Sequence, residues 1–173
     1  LALDTPLPTA TGWTTMGDVA VGEQLLDGYG LPTTVVGATE VMLGRPCYEI
    51  EFSDGTVIVA DEQHQWPTTH GVQTTAMRRA GADTVAVAPR ALTAGGAATL
   101  TLPRTALGIS GIRRVATVPV RCVQVDNPEH LYLAGSGMVP THNSTLGLDF
   151  MRSCSIPHRM ASVIFSLDMS KPE

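Results

Sequence analysis

The chain has 173 residues and a formal net charge of −5, with acids outnumbering bases 16 to 11. This length allows one domain of ordinary size plus a short appendage. A single lysine and the lack of a long basic run argue against a nucleic-acid-binding surface, and no apolar stretch approaches the roughly 20 residues of a membrane helix. The three separated cysteines form neither a disulfide framework nor a metal-binding pair, so we expect a reducing, cytoplasmic compartment.

The first 143 residues have the pattern of short strands separated by turns. An alternating run over 46–52 and a β-branched run over 56–60 flank Asp54-Gly55, which predicts a hairpin with its turn at that dipeptide. Four more apolar runs downstream predict further strands: 84–88, 98–102, 118–125 and 131–134.

Two segments depart from this pattern. Residues 71–112 are rich in Ala, Gly and Thr, and we interpret them as a surface excursion or a linker, with a short helical turn within 73–82. After Asn143, residues 144–154 have helical periodicity and 161–169 form a buried-type strand. Because this helix and strand would lack sheet partners, we expect them to belong to another fold.

The boundary between these parts carries the sequence His142-Asn143-Ser144. An asparagine side-chain nitrogen can attack its own backbone carbonyl, closing a succinimide and cleaving the chain after itself. A neighbouring histidine, which titrates near neutrality, can protonate the departing amine. The serine that follows is a hydroxyl nucleophile able to accept an acyl group beforehand.

Several motifs, in the correct order, resemble those of an intein of the HINT (hedgehog/intein) family. They are LALDTPLP at the start, which resembles the first motif of the family from its second residue onward, TVIVADEQHQWPT over 56–68 and VPTHN over 139–143. The resemblance implies an all-β, horseshoe-like HINT splicing domain over 1–143. Residues 71–112 then stand where larger inteins carry a homing endonuclease, which makes this a mini-intein.

The last segment, 144–173, resembles the helix and strand that follow the phosphate-binding loop of a DnaB-type replicative helicase. The resemblance implies that this segment begins the downstream extein of an ATP-binding host protein, and that the intein interrupts the loop just before Ser144. The partners of the intein are then its own flanking exteins. We expect a monomer that binds no nucleic acid directly and no membrane.

A finer resemblance concerns the mechanism. The chain starts with Leu1 and not with the Cys or Ser that begins an ordinary intein, but it resembles the class 3 subgroup in Trp66, Cys122 and Thr141. The resemblance implies that Cys122 attacks the upstream splice junction directly and forms a branched thioester. Ser144 would then accept the acyl group, Asn143 would cyclise, and the exteins would be ligated in a single turnover.

The other site residues follow from the same resemblance. His64 is expected to protonate the amine that leaves the upstream junction, Trp66 to wall the site, and Thr141 to orient Cys122. His142 is expected to assist Asn143, and His130 either assists it or merely packs. Asp61 departs from the usual Thr of the family, and its carboxylate either favours a charged His64 or solvates a loop.

Competing interpretations remain at this stage. A cleavage-only HINT autoprocessing domain, an ATPase fragment and a passive β-rich binding module are the alternatives to splicing. No cofactor or metal is implied, and a zinc site built from His64, His70 and a cysteine receives little weight because no metal-binding spacing recurs. Since no acyl donor precedes Leu1, we expect splicing to need an upstream extein.

Overall fold

The computed structural model describes residues 1–77, 84–85, 91–94, 98–101 and 107–142, with side chains described for 1–77 and 107–142. The splice residues Asn143 and Ser144 and the predicted helix and strand after them lie outside the described residues. Within the described ranges the only helical element is one 3-10 turn, Thr75–Met77, and no helix there is long and apolar enough to span a membrane.

Fifteen short strands make up the rest of the regular structure. They are β1 (Pro6–Thr9), β2 (Gly12–Thr15), β3 (Gln24–Leu26), β4 (Pro32–Ala38), β5 (Cys47–Phe52), β6 (Val57–Asp61), β7 (Gln65–Thr68), β8 (Gly71–Thr74), β9 (Thr84–Val85), β10 (Ala91–Ala94), β11 (Ala98–Thr101), β12 (Leu107–Val115), β13 (Val123–Val125), β14 (Leu131–Ala134) and β15 (Val139–His142).

The strands form one large sheet and three smaller units. The large sheet runs in the order β14-β15-β7-β9-β12-β5-β6, with β8 paired to β7. A three-stranded sheet has the order β13-β4-β3, and β1-β2 and β10-β11 are separate hairpins. All the ladders that join these strands are antiparallel.

The predicted hairpin at Asp54-Gly55 is confirmed. Strands β5 and β6 pair with Ile50 opposite Ile58, both buried, so the apolar alternation faces the core. Gly55 adopts a φ of +84°, and the Asp54 carboxylate accepts the Thr56 amide at 2.9 Å. The turn residues therefore supply the left-handed backbone and the side-chain acceptor that such a turn requires.

The other strand predictions are confirmed in part. Residues 131–134 form β14, while 84–88 and 98–102 are strands over the parts that the structure describes. The run 118–125 is regular only over Val123–Val125. Val120, earlier in that run, forms isolated bridges with Ala2 and Met42, so this stretch joins two separate segments and is not one continuous strand.

The segment 71–112 is not irregular at its two ends. Strand β8 pairs with β7, and β12 pairs with β5 along most of its length. Leu107 and Ile109 of β12 are buried in the core. Both ends of the segment predicted as an excursion or linker are therefore part of the large sheet, although only β12 adds apolar side chains to its buried face and Val72 of β8 is exposed.

Gly135 begins the turn between β14 and β15 and offers a test of packing. Its φ is +73°, and a Cβ there would lie 2.9 Å from Ile58 Cδ1, whereas Gly44 has a φ of +72° with nothing within 4 Å. We expect Gly44→Ala to lower the free energy of unfolding by about 1–2 kcal/mol through strain alone. Gly135→Ala should lower it by a further ~1–3 kcal/mol through overpacking.

Urea unfolding of the two variants measures this difference. Because the two glycines have nearly the same φ, Gly44→Ala corrects for the strain and leaves the packing term of Gly135→Ala. Equal losses in the two variants would show that Ile58 moves aside at no cost, contrary to the expectation.

Candidate functional site

The first residue of the chain lies beside Cys122. The Leu1 amino nitrogen donates to the Arg121 carbonyl at 2.8 Å, and the Arg121 amide donates back to the Leu1 carbonyl at 2.9 Å. On the other side, the Ala2 amide donates to the Val59 carbonyl of β6 at 2.9 Å. Leu1 is therefore held between β6 and the segment that carries Cys122, and only 1% of its surface is exposed.

Burial changes the chemistry of the Leu1 nitrogen. It lowers the pKa of the amino group below its usual value, and the neighbouring Cys122, Asp61 and Cys47 oppose that effect in decreasing order. A buried position disfavours an ammonium because a charge loses its hydration there. The surroundings of Leu1 therefore suit an uncharged nitrogen, such as that of a peptide bond.

Two residues that the sequence did not single out hold Cys122 in place. The Thr39 hydroxyl accepts the Cys122 amide at 3.1 Å, and the Thr39 amide donates to the Cys122 carbonyl at 2.9 Å. The Arg121 guanidinium donates to the carbonyls of Thr39, Gly17 and Val19 at 2.9–3.2 Å. The planar guanidinium, with its five donors, can join these separate segments around the cysteine.

His64 and Trp66 pack against each other in the interior. Their rings meet edge to face with centroids 4.8 Å apart, and both side chains are buried. Thr75, from the 3-10 turn, accepts the Trp66 indole N–H at 3.0 Å and donates its hydroxyl to the His64 carbonyl at 3.2 Å. Thr75 thus locks both residues, a role that sequence reasoning missed.

Asp61 lies inside the site and not on its surface. It is 5% exposed, its carboxylate accepts the Gln63 amide at 2.8 Å, and it lies 3.4 Å from the Arg45 guanidinium. Its carbonyl also accepts the His64 amide at 3.1 Å. The alternative that Asp61 solvates a loop is therefore wrong: the carboxylate shapes the buried turn that carries His64.

Thr141 faces the interior from β15. It is fully buried, lies opposite Tyr132 in the β14-β15 ladder, and donates its hydroxyl to the Tyr132 carbonyl at 3.2 Å. Burial raises the pKa of the Tyr132 phenol above its usual value, Cys122 and Asp61 raise it further, and the Thr141 hydroxyl opposes them. Cys122, Asp61 and Thr141 therefore all influence the protonation of the same phenol.

His142, at the end of β15, lies opposite Gln65 of β7. Its Nδ1 is 3.2 Å from the Gln65 Oε1, and its ring lies edge to face with that of His130, with centroids 6.4 Å apart. If Nδ1 carries the hydrogen, the Gln65 oxygen accepts it, and Nε2 is then the nitrogen left for proton transfer. The structure thus brings His130 and His142 together beside the end of the described chain.

His130 is held in an uncommon backbone conformation, with a φ of +53°. Asn127 secures the loop: its amide group donates to the Leu131 carbonyl at 2.7 Å and to Thr33 Oγ1 at 3.0 Å, and it accepts the Leu131 amide at 3.1 Å. The dipeptide Asn127-Pro128 is a turn signal from which this loop could have been found in the sequence.

The residues with described side chains form no evident metal centre. Within 1–77 and 107–142, no group of three or more His, Cys, Asp or Glu side chains is placed to hold a metal ion. The described site contains the Cys122 thiol, the imidazoles of His64, His130 and His142, and the backbone hydrogen bonds that hold Leu1.

Comparison with solved structures shows close likeness to inteins. The MchDnaB-1 intein is 64% identical with a TM-score of 0.71, over 83% of this chain and 99% of that one. The Msm DnaB1 intein splicing domain, solved with zinc bound, is 62% identical with a TM-score of 0.70 over the same shares. The gp41-1 intein, at 20% identity and a TM-score of 0.66, shares the fold.

Comparison with curated proteins shows likeness to replicative DNA helicases. The DnaB protein of Mycobacterium leprae is 69% identical over the whole of this chain, which spans 29% of it. That of Mycobacterium intracellulare is 34% identical, and the match spans 63% of it. The chain therefore spans only part of each relative. No protein-family model matches.

Proposed function

The chain belongs to the DnaB inteins, which are protein-splicing domains of HINT fold, and we propose that it splices by the class 3 route with Cys122 as the first nucleophile. The observation that carries this proposal is the paired hydrogen bonding of Leu1 with Arg121, which brings the upstream end of the domain to Cys122. The combination of Trp66, Cys122 and Thr141 supports the same route.

In the first step, Cys122 Sγ attacks the carbonyl carbon of the upstream junction, next to Leu1. A carbon–sulfur bond forms, the carbon–nitrogen bond breaks, and His64 gives a proton to the departing amine and is reprotonated by the proton that the Cys122 thiol loses. The product is a branched thioester with the same composition as the precursor. Holding the thiol beside the junction replaces external energy with a high effective concentration.

In the second step, the Ser144 hydroxyl attacks the thioester carbonyl, so the acyl group moves to Ser144 and the Cys122 thiol is restored. Asn143 then cyclises to a succinimide and breaks the bond to Ser144, with His142 protonating the leaving amine and His130 assisting. The freed amine of Ser144 attacks its own ester, and the exteins end up joined by a peptide bond. Each domain acts once.

Asp61 modulates the attack by Cys122 because it stabilises the turn that carries His64. Its carboxylate contacts the Gln63 amide and Arg45, so it fixes the backbone from which His64 projects. Trp66 packs against His64 and keeps water from the junction, and Thr141 sets the position of β15 beside Tyr132.

The domain organisation follows from the same proposal. Residues 1–143 are the intein, the part of 71–112 between β8 and β12 stands in place of an endonuclease, and 144–173 begin the downstream extein. That extein is the ATP-binding domain of a DnaB-type helicase in the cytoplasm, and splicing restores its phosphate-binding loop. The intein itself is a monomer that acts on its exteins and contacts no nucleic acid.

The experiment that tests the proposal uses a precursor with a short upstream extein and a first intein residue. Intact mass should show ligated exteins and a free intein that is one water lighter than its hydrolysed form, because Asn143 has cyclised. Release of the two exteins without ligation would favour the cleavage-only HINT domain, and an unchanged precursor would favour the passive β-module.

Gln65 is expected to set the pH dependence of the last cleavage through His142. A glutamate at this buried position would favour the charged imidazole and raise the pKa of His142 by at least about 1 unit. Since the charged form is the proton donor, the fall in cleavage rate with rising pH should then occur at higher pH than in the wild type.

Decay of the branched intermediate, followed from about pH 6 to about pH 9, measures this shift around the ordinary titration range of histidine. Gln63→Glu is the matched control, because it adds the same charge at an exposed position two residues away, in the turn that precedes β7. Identical profiles for Gln65→Glu and the wild type would remove Gln65 from the mechanism.

A further inference from the structure

Tyr132 carries a buried hydroxyl that none of the proposed steps uses. The residue is fully buried on β14, opposite Thr141. Its phenol oxygen has no hydrogen-bond partner among the residues that the structure describes. The Thr141 hydroxyl donates its one hydrogen to the Tyr132 carbonyl at 3.2 Å, so it has none left to give to the phenol.

An unsatisfied buried hydroxyl is a cost to stability that a phenylalanine would avoid. Phenylalanine has the same ring and would fill nearly the same volume. Packing therefore does not explain why a tyrosine stands here, and such groups in native proteins call for an explanation of another kind.

The neighbours of the phenol place it at the upstream junction. Cys122 and Asp61 act electrostatically on the Tyr132 hydroxyl, and the same two groups act on the Leu1 nitrogen. Leu1 is in turn joined to the Cys122 segment by the pair of backbone bonds with Arg121. Cys122 and Asp61 therefore act on both the phenol and the Leu1 nitrogen, and Tyr132, Cys122 and Leu1 are all buried.

The protonation state of the Tyr132 phenol determines whether it can act as a hydrogen-bond donor or as a base. Burial and the neighbouring Cys122 both raise the pKa of Tyr132, so the hydroxyl keeps its proton throughout the neutral range. It can therefore act as a hydrogen-bond donor but not as a base. Among the described residues it makes no hydrogen bond in the resting site, and a strong acceptor is created when negative charge develops on the junction carbonyl.

We propose that the Tyr132 hydroxyl donates a hydrogen bond to the oxyanion formed when Cys122 attacks the upstream junction. The sulfur–carbon bond forms, the carbonyl electron pair moves to oxygen, and the phenol holds that charge without giving up its proton. When the oxyanion collapses, the carbon–nitrogen bond breaks and the amine leaves with a proton from His64. The inference rests on the proposed role of Cys122.

Tyr132→Phe tests the proposal because it removes only the oxygen. In the precursor with an upstream extein, thioester formation should slow by about 10²-fold or more, the usual effect of removing one oxyanion donor. The melting temperature should stay the same or rise, because an unsatisfied hydroxyl is lost. Tyr48→Phe, on β5, is the matched control and should form thioester at the wild-type rate.

The outcomes separate this proposal from that of splicing. If the wild type forms thioester, Cys122→Ala does not, and Tyr132→Phe matches the wild type, then the oxyanion role is overturned while splicing through Cys122 stands. If the wild type itself forms no thioester at Cys122, the proposed function fails first. Slow thioester formation in a Tyr132→Phe variant of unreduced stability supports the role.

A second measurement covers the case in which Tyr132→Phe folds poorly. The chain has three tyrosines, so Tyr29→Phe with Tyr48→Phe leaves Tyr132 alone, and fluorotyrosine can then be incorporated at that position only. Because fluorine makes the phenol a stronger donor, the first step should change in rate while succinimide formation does not. An unchanged first step would overturn the proposal.

Discussion

Alanine at Cys122 is expected to abolish the branched thioester and all ligation, whereas alanine at Cys47 should leave splicing intact. The two residues are a matched pair, because both are buried cysteines whose thiols act on the Leu1 nitrogen. A variant that only disturbs the core would affect both in the same way. The comparison therefore separates the chemistry of the thiol from its packing.

The structure explains why only one of the two should react. Cys47 is fully buried, and its sulfur lies 3.3 Å from the Arg45 carbonyl and 3.8 Å from that of Val118. Cys122 retains 8% exposure and is adjacent to Arg121, whose backbone pairs with that of Leu1. Cys122 also has the stronger electrostatic effect on the Leu1 nitrogen.

Trapping with an external thiol measures the result. In the wild-type precursor and in Cys47→Ala, the thiol should release the upstream extein as a new thioester, and in Cys122→Ala it should release none above background hydrolysis. Melting curves control for folding, since a buried Cys→Ala change costs about 1 kcal/mol. Thiol release that survives in Cys122→Ala would move the first attack to another residue and withdraw the class 3 assignment.

The sequence pattern predicts those elements of the fold that are determined by residues close together in the chain. The β5-β6 hairpin follows from alternation and from Asp54-Gly55, and both are visible within the single stretch 46–60. The prediction of one continuous strand over 118–125 was wrong because the partners of this run are far away in sequence: Val120 bridges Ala2 and Met42. Periodicity shows that a strand is favoured but not which segments meet.

The same limit applies to the site. His64, Trp66, Cys122 and His142 were found because their residue types and order resemble a known family. The residues that hold them were missed, and their contacts link positions far apart in sequence: Thr39 with Cys122, and Gln65 with His142. A threonine or a glutamine gives no signal of such a role until the fold brings it to its partner.

Asn143→Ala is expected to stop the reaction after the acyl transfer, with the upstream extein attached to Ser144. Alanine has no side-chain nitrogen, so no succinimide forms and the bond to Ser144 stays intact. The earlier steps use the Cys122 thiol and the Ser144 hydroxyl, both still present. The branched ester should accumulate at unchanged mass, because it is an isomer of the precursor.

Ser144→Ala is the companion variant, because it blocks the preceding step, which is the acyl transfer from Cys122 to Ser144. The acyl group then stays on Cys122 as a thioester, which an external thiol cleaves readily, while the oxygen ester of Asn143→Ala resists the thiol and yields to hydroxylamine. Amino-terminal sequencing should find two amino termini in either branched species.

The pair therefore fixes the order of the steps and the place of His142, which β15 and Gln65 hold at the end of the described chain. Cleavage after residue 143 that continues in Asn143→Ala would mean that hydrolysis, not cyclisation, breaks this bond. His142 would then act on water instead of on the departing amine of Ser144.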